Sequence, residues 1–180
     1  MNEMLWKKLK SENVYENERG IVVEKQKVQL PDGTVLSDYY QIKMRNFVTM
    51  VIQDEQHRFL CLKQYKHGMG KVGLTLPGGI IEEDEGPLET AARELMEETG
   101  YVCSELRSMG KYVLSGNQHI CYSHIIGGYG AKMISVATNP DQENGKICFM
   151  AQKEIRKALI ANDFLIISHA LALDMALANS

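Results

Sequence analysis

A chain of 180 residues, 44 % of them hydrophobic, carries enough apolar material for one globular domain with a small amino-terminal extension. Its net charge of −3 argues against the broad basic face that a nucleic-acid partner requires. The cysteines Cys61, Cys103, Cys121 and Cys148 show no C-x-x-C spacing, which speaks against a zinc site or a disulfide framework and predicts reduced thiols.

In chain order, Val22–Leu30 and Val35–Lys43 read as two strands joined by a Pro31-Asp32-Gly33 turn. Phe47–Gln53 and Arg58–Gln64 read as a second hairpin around Asp54-Glu55-Gln56-His57. A helix follows between Pro87, suited to a first helical position, and Gly100, suited to the residue just past an end. Strands are predicted near Leu106–Leu114, Ile120–Ile126 and Lys146–Met150, then helices over Gln152–Ala161 and Asp163–Ala178, the last capped by Asp163. The apolar stretch from Phe164 to Ala178 is too short to span a bilayer and contains His169 and Asp174. The amino terminus lacks the apolar run of a signal peptide, so the expected location is the cytoplasm, with no membrane partner.

Chemistry concentrates in residues 79–101, GIIEEDEGPLETAARELMEETGY. Leu88, Ala91, Ala92 and Leu95 recur at helical spacing and form one apolar face. Glu94, Glu97 and Glu98 lie three and four residues apart, so their carboxylates share the opposite, solvent-side face. Like charges so spaced cost roughly 0.2–0.5 kcal/mol each in an isolated helix. A hard divalent cation, which takes oxygen ligands, would reverse that sign. The bland alternative is a solvated acidic face with Arg93 in a surface ion pair. Two flanking features weigh against it: Glu85 can reach back to Arg93 from the preceding loop, and Gly78-Gly79 allows close backbone approach.

The spacing G-x5-E-x7-R-E-L-x-E-E-x-G, carried by Gly79, Glu85, Arg93, Glu94, Leu95, Glu97, Glu98 and Gly100, resembles the Nudix box. Tyr101 departs from the usual aliphatic residue and is followed by Val102. Upstream, Gln64-Tyr65-Lys66-His67-Gly68 and Leu76-Pro77-Gly78-Gly79 resemble the approach to the box in ADP-ribose and nucleotide-sugar pyrophosphatases. Trp6, Ser11-Glu12-Asn13-Val14-Tyr15 and Leu30-Pro31-Asp32-Gly33 are similar to that subfamily's amino-terminal sheet. The resemblance implies a mixed α+β fold, an α/β/α sandwich over residues 46–180 behind an antiparallel β extension over residues 1–45. It further implies a homodimer held by the extension, and hydrolysis of a nucleoside diphosphate-linked small molecule with Mg²⁺ or Mn²⁺. ADP-ribose hydrolases often have a proline where this chain has Gly116, which keeps GDP-mannose and other nucleotide sugars open. A triphosphate-sanitising hydrolase and a non-hydrolytic nucleotide-binding module are the alternatives.

On that resemblance Glu94 and Glu98 are the principal metal ligands, Glu97 a third and the Gly78 carbonyl a fourth. Arg93 joins the catalytic set as the ion-pair partner of Glu85 that orients helix and loop, and Gly79, Glu85 and Gly100 are structural. Similar enzymes place a general base on a loop well after the box, where Glu143 stands within Asn139-Pro140-Asp141-Gln142-Glu143-Asn144-Gly145. A polar turn would use the same residue types. Lys66, Glu82 and Gln118 are candidate substrate contacts, each equally at home as an ordinary surface residue.

Overall fold

Among the described residues, strands come first, one helix interrupts them, and two helices follow the last strand. The computed structural model describes residues 4–137 and 145–178. In order they form β1 (Lys7–Glu16), β2 (Val22–Gln29), β3 (Val35–Lys43), β4 (Phe47–Ile52), β5 (Phe59–Lys66), β6 (Lys71–Thr75) and β7 (Gly78–Ile80). Then come α1 (Pro87–Thr99), β8 (Tyr101–Val102), β9 (Glu105–Ser115), β10 (His119–Tyr129), β11 (Lys132–Met133), β12 (Lys146–Met150), α2 (Gln152–Ile160) and α3 (Ile167–Ala178). A single 3-10 turn, His67–Met69, links β5 to β6. Among the described residues no helix is long and apolar enough to cross a membrane.

The chain divides into two units, Met1–Asn46 with Val113–Tyr122, and Phe47–Tyr112 with Ser123–Ser180. In the first, β2 pairs antiparallel with both β1 and β3. Strand β1 was not among the predicted elements, because KKLKSENVYE lacks an apolar alternation, and all of it is exposed. The buried side of β2 is largely polar: Glu24, Gln26 and Val28 alternate inward. Gln26 donates to Glu24 at 2.8 Å and to Gln41 at 3.0 Å, and the Lys43 ammonium pairs with Glu24. That ammonium, with Gln26, holds the Glu24 carboxyl down to about 2.

The second unit is the expected α/β/α sandwich. Strand β4 pairs parallel with β10 on one edge and antiparallel with β7 on the other. Both edges being taken, β5 cannot pair along β4, and the predicted second hairpin is cut to a single antiparallel bridge, Gln53 to Phe59. The Asp54–His57 turn exists, closed by Asp54 accepting the N–H groups of Gln56 at 2.9 Å and Arg58 at 2.8 Å. It carries the chain into a separate sheet, in which β5 is flanked by β6 and β12. The two faces of the strands feed two cores. Val48, Met50, Ile52, Leu60 and Leu62 meet Ala91 and Leu95 of α1. Val51, Phe59 and Cys61 meet Ile155 and Ala158 of α2 and Ala172, Leu173 and Leu177 of α3. All four cysteines are free thiols.

Helix α3 starts later than predicted. Asn162 is left-handed, and the N–H groups of Asn162 and Asp163 bond back to Leu159 at 3.1 Å and Ala158 at 2.9 Å. This is a Schellman ending for α2. The Asp163 backbone is used there and by Leu74, whose N–H its carbonyl accepts at 3.3 Å, and α3 begins only at Ile167, too far on for Asp163 to be its N-cap.

Candidate active site

Strand β7 delivers a glycine turn onto the face of α1. Gly78 pairs with Thr49 and Gly79 with Val48, and a Cβ on Gly79 would stand 2.0 Å from the Glu94 carboxyl carbon. Only glycine leaves room for that carboxylate. Helix α1 begins at Pro87, with the Gly86 N–H accepted by Glu89 at 2.7 Å. It ends at Gly100, whose φ of 75° suits glycine and whose N–H returns to Met96 at 2.9 Å. The helix therefore has the bounds that its end signals predict. Its buried stripe is narrower than expected: Ala91 and Leu95 are buried beside Thr90 and Thr99, but Leu88 and Ala92 face solvent.

Arg93 organises the acids. Its Nε and Nη2 grip Glu85 as a fork at 2.6 and 2.8 Å, and Nη1 reaches Glu94 at 2.8 Å and Glu97 at 3.2 Å. Nη2 also meets the Ile80 carbonyl at 3.4 Å. Bidentate arginine–carboxylate pairs are both strong and directional. Thr90 donates to the second Glu85 oxygen at 3.0 Å. Arg93, and then Thr90, hold the Glu85 carboxyl down to about 2, and the acids around Arg93 hold its guanidinium firmly protonated. Glu98 accepts the Gly78 N–H at 3.1 Å, tying the helix to the turn. The solvated acidic face that the flanking residues argued against is not what forms; only 17 % of the Glu94 side chain is exposed.

Among the described residues no three His, Cys, Asp or Glu side chains stand close enough to hold a cation unaided. Arg93 draws Glu94 and Glu97 to itself, and Glu98 turns to Gly78. The donor chemistry, carboxylate oxygens beside backbone carbonyls, is nevertheless the hard-oxygen set that Mg²⁺ and Mn²⁺ take.

The remaining candidates separate. Lys66 ends β5, and its charge is felt by buried His169 on α3. The His169 Nδ1 accepts the Leu76 N–H at 2.9 Å, two residues before Gly78. Burial, then Lys66, pushes the imidazole down to about 3, so it stays neutral. Sequence reading had no signal for this role, because Leu76 and His169 are 93 positions apart. Glu82 is exposed in the loop before α1, where its carbonyl accepts the Glu85 N–H at 3.2 Å. Gln118 lies in the first unit, its side chain accepting the Ser115 hydroxyl at 2.8 Å within the β9–β10 turn. Glu143 lies outside the described residues.

Comparison with known proteins adds independent findings. Residues 43–167 match the NUDIX domain model, and residues 6–42 match that of the nucleoside diphosphate sugar hydrolase N-terminal domain. A CMP-5'-(N-acetyl-N-hydroxy-3-aminopropyl)phosphonate hydrolase of Streptomyces rubellomurinus is 30 % identical over 72 % of this chain and 62 % of its own. An ADP-ribose pyrophosphatase of Bacillus subtilis is 30 % identical over 49 % of this chain and 47 % of its own. The chain thus spans less than two thirds of either relative. A crystal structure of an ADP compounds hydrolase superposes with a TM-score of 0.82, covering 95 % of this chain and 91 % of that one. At 20 % identity this likeness is one of fold.

Proposed function

The chain belongs to the NUDIX family, and we propose that it hydrolyses the pyrophosphate bond of a nucleoside diphosphate-linked sugar, with ADP-ribose the first substrate to test. The products are a nucleoside monophosphate and a sugar phosphate. The observation that carries this reading is the Glu85–Arg93 fork, which fixes a helix of three further carboxylates against the Gly78-Gly79 turn. The amino-terminal match over residues 6–42 and the ADP-ribose pyrophosphatase relative support a nucleotide sugar over a triphosphate.

Glu94 and Glu98, with Glu97 and the Gly78 carbonyl, are the residues that would hold Mg²⁺ or Mn²⁺. The cation supplies charge neutralisation on the phosphate oxygens and a more acidic water. Arg93 supplies countercharge to the acids and anchors the loop through Glu85. Lys66 offers a cation to a phosphate, and Glu82 and Gln118 are kept as substrate contacts. Glu143 is the proposed general base, accepting the proton of the attacking water.

The exposed side chains of Trp6, Leu9, Val14 and Tyr15 support β1 and its neighbours, residues 1–45, as a dimerisation element ahead of the hydrolase domain, 46–180. A monomer by light scattering overturns that assembly. Free thiols suit a reducing compartment, and we assign the protein to the cytoplasm.

The deciding assay offers ADP-ribose, GDP-mannose, UDP-glucose, diadenosine polyphosphates and oxidised dGTP with Mg²⁺, with Glu98→Gln as control. Release of monophosphate and sugar phosphate from one compound, lost in the control, establishes the activity. Tight binding of a compound without turnover establishes a binding module instead.

A further inference from the structure

Strand β4 has two ends, and the glycine turn occupies one of them. Gly78 stands opposite Thr49, whereas Gln53 follows the far end of the strand, about 13 Å further along at some 3.3 Å per residue. At that far end the second unit holds a cavity of about 720 Å³, within the usual range for small-molecule sites. No residue of β7 or α1 lines it.

Its walls are chemically specific. Arg107 sits over the Tyr129 ring, its Cζ 4.8 Å from the centroid, and donates to the Tyr129 hydroxyl. Among the described residues no carboxylate pairs with Arg107. A guanidinium has five N–H donors, and Tyr129 engages one. Arg58 is fixed differently, bound to Asp54 at 2.7 Å and stacked on Phe149 at 5.2 Å. The turn presenting Gln56 and Arg58 to the cavity is held by Asp54, with His57 left-handed at a φ of 57°. Glu105 precedes Arg107 by two positions on β9, hence on the same face, and adds an acceptor beside the cation.

We propose that this cavity is a second ligand site, separate from the acidic helix, that binds a small sugar phosphate. Arg107 takes the phosphate; Glu105 and the Gln56 amide take the hydroxyls. The Arg107 guanidinium covers the Tyr129 ring and Phe59 is buried, so a base would find only the exposed His57 ring to stack on. Binding here needs neither a divalent cation nor turnover, so it stands or falls apart from the hydrolase activity.

Titration calorimetry in EDTA tests it, with ribose 5-phosphate as probe and ribose and inorganic phosphate as controls. Wild type and Glu98→Gln should both show saturable one-site binding. Arg107→Gln should weaken it by about tenfold or more, the loss of a charge-assisted bond, with Arg107→Lys intermediate. Arg107 is exposed, so circular dichroism of its variants should match wild type. Three results overturn the proposal: no saturation with wild type, undiminished binding by Arg107→Gln, or binding lost in Glu98→Gln and kept in Arg107→Gln. Inorganic phosphate binding as tightly as ribose 5-phosphate removes the sugar from the assignment.

Discussion

Gly79→Ala separates the position of a carboxylate from the stability of the fold. The added Cβ would stand 2.0 Å from the Glu94 carboxyl carbon and 2.2 Å from its Oε1, where ordinary contact begins at 3.4 Å. Glu94 must therefore retreat by about 1.4 Å, loosening its 2.8 Å bond to Arg93. The obstructing group is the mobile end of a side chain, and Gly79 has no positive φ to strain. Reduced freedom of the unfolded chain returns about 0.4–1 kcal/mol on a glycine-to-alanine change. Stability should therefore stay within about 1 kcal/mol of wild type, or about 2–4 °C in Tm for a chain of this size. Activity should not survive so well, since a misplacement of about 1 Å at a reacting centre can cost roughly a hundredfold. That factor corresponds to about 2.7 kcal/mol in kcat/KM. Gly78→Ala is the contrast, because its Cβ would meet the Val48 carbonyl at 2.3 Å, an immovable strand backbone, and the fold itself should suffer. Steady-state kinetics across a Mg²⁺ series and thermal unfolding measure both terms. Wild-type kcat/KM in a folded Gly79→Ala enzyme refutes the need for Glu94 at this place.

Other perturbations probe the same frame. Arg93→Lys keeps a charge but loses the fork that grips Glu85, so turnover should drop at least about tenfold while circular dichroism is unchanged. Glu85 is held at about 2 against an ordinary 4.5, so its contribution is present above pH 4.5 and lost as pH falls toward 2. Acid unfolding of Glu85→Gln should be shallower in that window, though not flat, because Glu24 is held equally low by Lys43. His169 also titrates low when folded, at about 3 against 6.5, so its stabilisation holds above pH 6.5 and fades down to pH 3. His169→Gln keeps an acceptor for the Leu76 N–H and should erase that slope; an unchanged pH profile counts against a buried neutral imidazole. Glu143→Gln should lower turnover by orders of magnitude with little change in Tm, and wild-type turnover removes Glu143 from the mechanism.

What could be read in advance was whatever is decided locally. The bounds of α1 follow from a proline that suits a first turn and a glycine that suits a left-handed exit, and both act within a few residues. The Lys146–Met150 strand came out at its predicted limits for the same reason, an apolar run closed by a helix start. The predicted β4–β5 hairpin stops at one antiparallel bridge, Gln53 to Phe59, although its turn formed as expected. A turn constrains only the residues it contains, whereas the neighbours of β4 are decided by β10 and β7 from far along the chain. The late start of α3 has a similar origin, since the backbone at Asp163 is held by the ending of α2 and by the distant Leu74, and the helix begins only at Ile167.

In the candidate site the spacing of three glutamates over five positions predicted a shared helix face, and α1 brings them there. Their partners could not be predicted, because spacing is silent on rotamers. Arg93 was expected to bind Glu85 alone; in the folded chain it serves Glu85, Glu94 and Glu97 together. Glu98, left out of that arrangement, leans on a backbone N–H instead. Glu85, Glu94 and Glu97 against one guanidinium leave a formal surplus of two negative charges on a half-buried patch. A surface helix could shed such a surplus into water, but Glu94 is too enclosed by Gly79 to do so. The glycine turn therefore does more than admit the carboxylate: it withholds the solvent that would otherwise satisfy it, which leaves a hard cation as the natural partner for the excess charge.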